Sequence, residues 1–183
     1  MIRHLRTHML ELCVVLLLAV GNMAGARDRG VPPSEGIGNF GKVSDGLYRG
    51  AQPDAAGIRN LARLGVKTII NLRMTNELWK TEPVEANANG ITYTNVPLSG
   101  IGRQSDAQVT NLLTLIETLP SPVFIHCKYG CDRAGTIVAC YRIRHDKWSS
   151  ESALREAERY GISKFAWGMR KYIVGFGKAS PRQ

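Results

Sequence analysis

The chain has 183 residues, 44% hydrophobic and 21% charged, which is enough for one domain with a core of its own. That composition excludes a collagen, a disordered tail and a multi-span membrane protein, and four cysteines exclude a disulfide scaffold. Lys and Arg outnumber Asp and Glu by 24 to 15, and the net charge of +9 favours anionic partners: phosphate groups, nucleic acid or anionic lipid.

In chain order, Arg3, His4, Arg6 and His8 make a positive start, Leu12 to Val20 is apolar throughout, and Ala24-Gly25-Ala26 is an A-x-A pattern. This layout predicts a secretory signal peptide over 1–26 and hence an exported, periplasmic or secreted protein; an uncleaved membrane anchor is the alternative. The apolar run is far shorter than the roughly 20 residues of a bilayer span. Its removal takes away Arg3, Arg6 and Glu11 and lowers the net charge from +9 to +8, so the basicity belongs to the domain. Cys127, Cys131 and Cys140 then remain, and an odd number in an oxidising compartment leaves at least one thiol for chemistry.

Residues 27–40 are rich in Gly and Pro and predict a loose leader before a domain over 41–178. Val43 to Arg49 reads as a turn feeding a short strand. Asp54 caps a helix through Leu64, with Ile58, Leu61 and Leu64 at helical spacing and Gly65 as its stop. Val66 to Leu72 is a buried strand, 76–88 a polar helix ended by Asn89-Gly90, and Ile91 to Val96 the next strand. Ser105 or Asp106 caps a helix with Val109, Leu112, Leu113 and Ile116 on one face. Val123 to Ile125 is a strand, Ala134 to His145 a helix, and two more helices fall near 149–159 and 164–176. The alternation predicts an α/β domain: a mainly parallel sheet of four to five strands with helices on both faces.

The chemistry lies in the segment from His126 to Thr136. C-x5-R alone is a weak pattern, but here an apolar strand runs straight into Cys127, a loop with Gly130 follows, and Arg133 opens an apolar helix. A loop between a strand end and a helix N-terminus is an anion site. Backbone N–H groups of 128–133 can wrap a phosphate, Gly130 and Gly135 permit the tight path, and Arg133 can grip two phosphate oxygens. The positive surroundings favour the thiolate of Cys127, held for in-line attack on phosphorus.

His126-Cys127-Lys128-Tyr129-Gly130-Cys131-Asp132-Arg133-Ala134-Gly135-Thr136 resembles the signature of the cysteine-dependent dual-specificity phosphatases. Asp45 to Pro53, Val66 to Arg73 and Val96-Pro97-Leu98 are similar to segments of the bacterial exported members, so the likeness spans about residues 40–176. The resemblance implies the C-x5-R phosphatase fold, a phosphocysteine intermediate, and neither metal nor cofactor. It makes Cys127 the nucleophile, Arg133 the phosphate-binding and transition-state residue, and His126 the residue that orients the loop. Lys128, Tyr129, Gly130, Cys131 and Ala134 complete the expected substrate-binding set.

Two positions depart from that pattern. The family usually has Ser or Thr after the Arg, to help sulfur leave when phosphocysteine is hydrolysed; Ala134 stands there, so slow dephosphorylation is expected unless Thr136 substitutes. The general acid is open: Asp106 is the only carboxylate on the loop after the preceding strand, and it is also a candidate helix cap, while Asp132 sits inside the signature. Arg73 either contacts substrate or pairs with Glu77, and a Cys127–Cys131 disulfide could shield the nucleophile. The basic run Arg142, Arg144, His145, Lys147 reads as a solvated face, and Trp148, Trp167 and Tyr172 as packing residues.

These residues point to a phosphatase acting on phosphotyrosine, phosphothreonine or a phosphoinositide, as a monomer, with an anionic membrane surface as a second partner and no nucleic acid. A rhodanese-like sulfurtransferase and an inactive phosphate-binding module are the alternatives.

Overall fold

The computed structural model describes residues 30–179; the segment expected to be a signal peptide lies outside them. Five strands form one sheet in the order β1-β2-β5-β3-β4: β1 Gly41–Ser44, β2 Leu47–Gly50, β3 Thr68–Asn71, β4 Thr92–Asn95 and β5 Val123–His126. All neighbours are parallel except β1, which pairs antiparallel with β2. Six α-helices are found among the described residues: α1 Ala55–Arg63, α2 Glu82–Ala88, α3 Asp106–Thr118, α4 Asp132–Arg144, α5 Ser150–Arg159 and α6 Trp167–Ala179.

The period-two alternation of the strands sorts the core into two layers. Ile69 of β3 and Phe124 of β5 pack with Ile58 and Leu61 of α1 and Ala86 of α2. Ile70 and Ile125, one residue further on, pack on the other face with Leu112 and Leu113 of α3 and Ile137 and Val138 of α4. Covered on both faces, β3 and β5 are buried at every position, which is why Ile69-Ile70 and Val123-Phe124-Ile125 stand consecutively instead of alternating with polar residues. A third cluster joins Ala139 and Ile143 of α4 to Ala153 and Ala157 of α5 and Met169 and Ile173 of α6. No helix among the described residues is long and apolar enough to cross a membrane.

Local signals explain most boundaries. The Asp54 side chain accepts from the Gly57 N–H at 2.8 Å and starts α1; Gly65, at φ +82°, ends it. The polar helix expected over 76–88 is instead a 3-10 turn, Thr75–Glu77, followed by α2. Pro83 is the reason: its ring is tolerated only in a first helical turn, so α2 starts at Glu82. The leader is not loose throughout. Ile37 is fully buried in the α1/α2 layer, and Asn39 takes the Val31 N–H and donates to the Tyr160 carbonyl.

The basic run is not simply solvated. Arg142 clamps both oxygens of Glu156, pairs with Asp146 and lies over Trp148; Arg144 pairs with Glu117. Of the expected packing aromatics, Tyr172 is buried, whereas Trp167 is 72% exposed.

Candidate active site

β5, the central strand, delivers Cys127 to the carboxyl edge of the sheet, where ligands bind in such folds. Cys127 is buried and forms no disulfide. The loop from Cys127 to Cys131 is tied from outside at three consecutive carbonyls. Lys128 O accepts from the Gln52 N–H at 3.3 Å, Tyr129 O from Asn39 Nδ2 at 3.2 Å, and Gly130 O from Arg49 Nη2 at 2.7 Å. In a trans peptide the N–H points opposite to the carbonyl, so the N–H groups of 129, 130 and 131 turn to the inner side. The first N–H groups of α4, without partners in the helix, add to this cradle, and its dipole favours an anion there. Gly130 is required: its φ is +70°, and a Cβ would lie 2.6 Å from the Gly50 carbonyl carbon.

Arg133, on the first turn of α4, is buried. Its Nη1 donates to Glu77 Oε2 at 2.8 Å, with the carbonyls of Leu98 and Leu72 at 3.4 and 3.5 Å. All three contacts use one nitrogen, so the guanidinium is fixed by one edge and its other edge is left for phosphate oxygens. Glu77 only grazes Arg73, at 4.0 Å; Arg73 donates instead to Gln52 Oε1 at 2.9 Å. The Arg133 guanidinium holds the Glu77 carboxyl below the usual carboxylate range, so this tether is intact at neutral pH and is lost as pH falls into acid.

The remaining expected site residues divide into three groups. Lys128 and Tyr129 are exposed, the ammonium 5.1 Å from the ring centroid, and form the rim. Cys131 and Ala134 are buried; the Cys131 Sγ lies 3.4 Å from Asn39 Nδ2 and donates to the Tyr129 carbonyl at 3.3 Å. His126, expected in the substrate-binding set, is fully buried. Its Nε2 lies 2.9 Å from Glu82 Oε1, and Glu82 Oε2 accepts from Asn71 Nδ2 at 2.7 Å. Burial and the nearby Glu82 carboxylate push Tyr93, the next member of this cluster, up to about 12. His126 thus supports the loop from the α2 side. Burial pushes the Cys140 thiol well above its ordinary value, which leaves it chemically idle.

The two candidate acids are placed differently. Asp106 opens α3, with Ser105 as its N-cap, and its carboxylate pairs with Arg103 at 3.0 Å. It lines a cavity of about 410 Å³ with Thr110, Arg144, Lys171 and Tyr172, away from the 126–134 loop. Tyr172 and Arg103 hold its carboxyl below the usual range, the wrong direction for a group that must carry a proton. Asp132 stands beside Arg133. Its Oδ1 accepts from the Ser163 N–H at 2.6 Å, and it lines a cavity of about 400 Å³ with Gly100, Ile101, Gly102, Phe165 and Trp167. Thr136 does not replace the hydroxyl missing at Ala134, because its own is buried and donates to the Asp132 carbonyl at 2.8 Å.

Residues 33–173 match the family described as DSP-PTPase phosphatase fused to NAD+ kinase. The chain belongs to the cysteine-dependent dual-specificity phosphatases. Among curated relatives, the dual specificity protein phosphatase TpbA of Pseudomonas aeruginosa is 31% identical over 127 residues, 68% of this chain and 55% of TpbA. Inositol diphosphatase DSP4 of Arabidopsis thaliana is 29% identical over 140 residues, 73% of this chain and 67% of its own length. The chain therefore spans little more than half the length of TpbA. The crystal structure of P. aeruginosa TpbA superposes with a TM-score of 0.67 at 25% identity, covering 85% of this chain and 98% of that one. The catalytic core of the S. cerevisiae PP-IP phosphatase SIW14 gives 0.70 at 24% identity over 82% and 90%.

In the phosphatase domain, the residues that spacing did not reveal are those that hold the signature from a distance: Arg49, Asn39, Glu77 and Glu82. Glu77 is 56 residues from Arg133, and nothing in its own neighbourhood marks it as that residue's tether. Replacing Glu77 by Ala should let the guanidinium swing and lower kcat/KM by about 10–100-fold, as small misplacements of catalytic groups do. Steady-state kinetics, with inorganic phosphate as a competitive inhibitor, would check it; an unchanged kcat/KM would show that the two carbonyls hold Arg133 without Glu77.

Proposed function

We propose that this chain hydrolyses phosphate monoesters through a phosphocysteine on Cys127, with phosphotyrosine, phosphothreonine or phosphoinositide as substrate. The observation that carries this reading is the loop itself: three outward-tied carbonyls, a thiol at its root and an arginine tethered by one edge. The family match supports it over the sulfurtransferase alternative. One crystal structure of TpbA is a complex with phosphotyrosine, and DSP4 is named for inositol diphosphates, so both substrate classes occur among proteins this chain resembles.

The loop N–H groups and Arg133 hold the phosphoryl oxygens and take up the charge that grows on them. The Cys127 thiolate attacks phosphorus and the bond to the leaving oxygen breaks. That oxygen takes a proton from Asp132, which adjoins Arg133 in the signature, in preference to Asp106, whose carboxylate pairs with Arg103. Water then attacks phosphocysteine, giving its proton to the Asp132 carboxylate; the S–P bond breaks, inorganic phosphate leaves and the thiolate returns.

A phosphate-release panel of phosphopeptides, phosphoinositides and inositol phosphates, with Cys127→Ser as control, tests the reading. Release from none of them overturns it. Running the lipid substrates in anionic vesicles as well reads the membrane part of the proposal, and sedimentation tests the monomer. Export belongs to the same proposal: N-terminal sequencing should find a chain lacking 1–26, and one that still begins at Met1 would refute cleavage.

The missing hydroxyl at Ala134 makes the second step the slow one. A chromogenic phosphate ester should show a burst of product near one equivalent per enzyme. Ala134→Ser should shorten it and raise kcat about tenfold, the worth of one hydrogen bond to a leaving thiolate. Linear product formation from the first turnover would contradict this.

A further inference from the structure

Beneath the loop lies a charge that the reaction described above does not use. Arg49 of β2 is 1% exposed, the largest of the fully buried side chains among the described residues. It stands opposite Ile125 in the parallel β2–β5 register, so its side chain shares a sheet face with Ile125 and, two residues on, with Cys127. It enters the space under the loop and the first turn of α4. Nη2 donates to Gly130 O at 2.7 Å, the guanidinium lies 3.9 Å from the Tyr160 ring centroid, and a Cβ on Gly135 of α4 would lie in ordinary contact with Nη2, at 3.5 Å. Nε and Nη1 are buried with no hydrogen-bond partner.

A guanidinium in such a place needs a counter-charge, because an unbalanced buried ion is costly. The titratable groups near enough to act on its charge are Tyr160 and Glu156 from α5 and its C-cap, and Cys127 and Cys131 from the loop. Glu156 is committed elsewhere, with both oxygens clamped by Arg142 at 2.9 and 3.1 Å. Burial lowers Arg49 to about 10, which still leaves it charged at neutral pH.

We infer that Arg49 is a positioning residue for the nucleophile: it pins the loop through Gly130 O, and its positive charge, matched by the Cys127 thiolate, holds that sulfur anionic from below. Arg133 grips the phosphate, whereas Arg49 acts on the sulfur before any substrate arrives. The inference rests on Cys127 being the nucleophile, as proposed above.

The test is the pH dependence of Cys127 alkylation by iodoacetamide in the full chain. It is followed by mass spectrometry of the Cys127 peptide, with Cys131 and Cys140 read separately. Arg49→Gln removes the charge and leaves a neutral, shorter amide in its place. Its alkylation midpoint should rise by about one to two pH units, the effect of losing a nearby opposite charge, while the rate at the alkaline plateau stays that of wild type. Arg49→Lys, which keeps the charge, should move it much less. A loop that merely collapsed would change the plateau and leave the midpoint. If Arg49→Gln does not fold, Arg49→Met fills the site with an apolar chain, removes the charge together with the donor to Gly130 O, and should give the same shift in midpoint.

An unchanged midpoint, or failure of all three replacements to fold, assigns Arg49 to the core alone and overturns the inference. Alkylation needs no turnover, so the two readings fail separately. A wild-type chain that releases phosphate while the variant midpoints stand still refutes only the role of Arg49. A wild-type chain that releases none refutes the phosphatase reading.

Discussion

Cys127→Ser should release no measurable phosphate, a loss of roughly 10⁵-fold or more, the scale seen when a nucleophile is removed from an intact site. The hydroxyl keeps the shape of the thiol but is not ionised at neutral pH, so no bond to phosphorus forms. Binding should survive, because the anion is held by other groups: the inward N–H groups of 129–131, the first turn of α4, and the outer edge of Arg133. Phosphate or a phosphopeptide should therefore still bind the variant in calorimetry. In acid-quenched wild type, phosphate should be found on the Cys127 peptide, and in the variant it should be absent. Residual turnover by Cys127→Ser would move the chemistry to another group. An inactive wild type that binds phosphate would favour the binding-module alternative.

Asp132→Asn should lower the rate on esters with poor leaving groups by about 10²–10⁴-fold, the usual worth of general acid catalysis. A nitrophenolate leaves without a proton, so the loss there should be small, and the basic limb of the pH profile should disappear. Asp106→Asn should change both substrates little, because its carboxylate pairs with Arg103 and lines a cavity to which no residue of the 126–134 loop contributes. If Asp106→Asn loses the basic limb and Asp132→Asn keeps it, the assignment is reversed, and the 99–104 loop must move to bring Asp106 over the phosphate. If neither does, another group supplies the proton.

The contrast between these carboxylates shows where sequence reading stopped. Both lay near the signature and both were candidates, one by its loop and one by its place before Arg133. The direction of a side chain separates them, and direction depends on neighbours distant in sequence: Tyr172 for Asp106, Ser163 for Asp132. Thr136 was a stand-in for the missing hydroxyl for as long as its partner was unknown; in the helix it is spent on the Asp132 carbonyl. The cavity beside Asp132 shows the same limit. Phe165 and Trp167 are 89% and 72% exposed, beside Ile101, although their composition alone suggests packing.

What the sequence determined by itself is what local physics writes into a few neighbouring residues. β3 and β5 are readable because both faces of a central parallel strand are buried, so apolar residues (Ile69 and Ile70, Val123 to Ile125) run consecutively through their middles instead of alternating with polar ones. The site's location is readable because a strand, a glycine loop and an arginine opening a helix stand within a dozen positions. The tertiary structure alone decided which groups tie that loop and charge it. Asn39, Arg49, Glu77 and Glu82 come from four different segments, and a side chain's partner across the fold leaves no periodic or local trace in its own neighbourhood. The basicity noted at the outset divides in the same way: Arg133 and Arg49 act on one loop, while Arg142 and Arg144 are neutralised by Glu156, Asp146 and Glu117. A net charge counts ions, and only folding sets which of them face a carboxylate and which are left for phosphate.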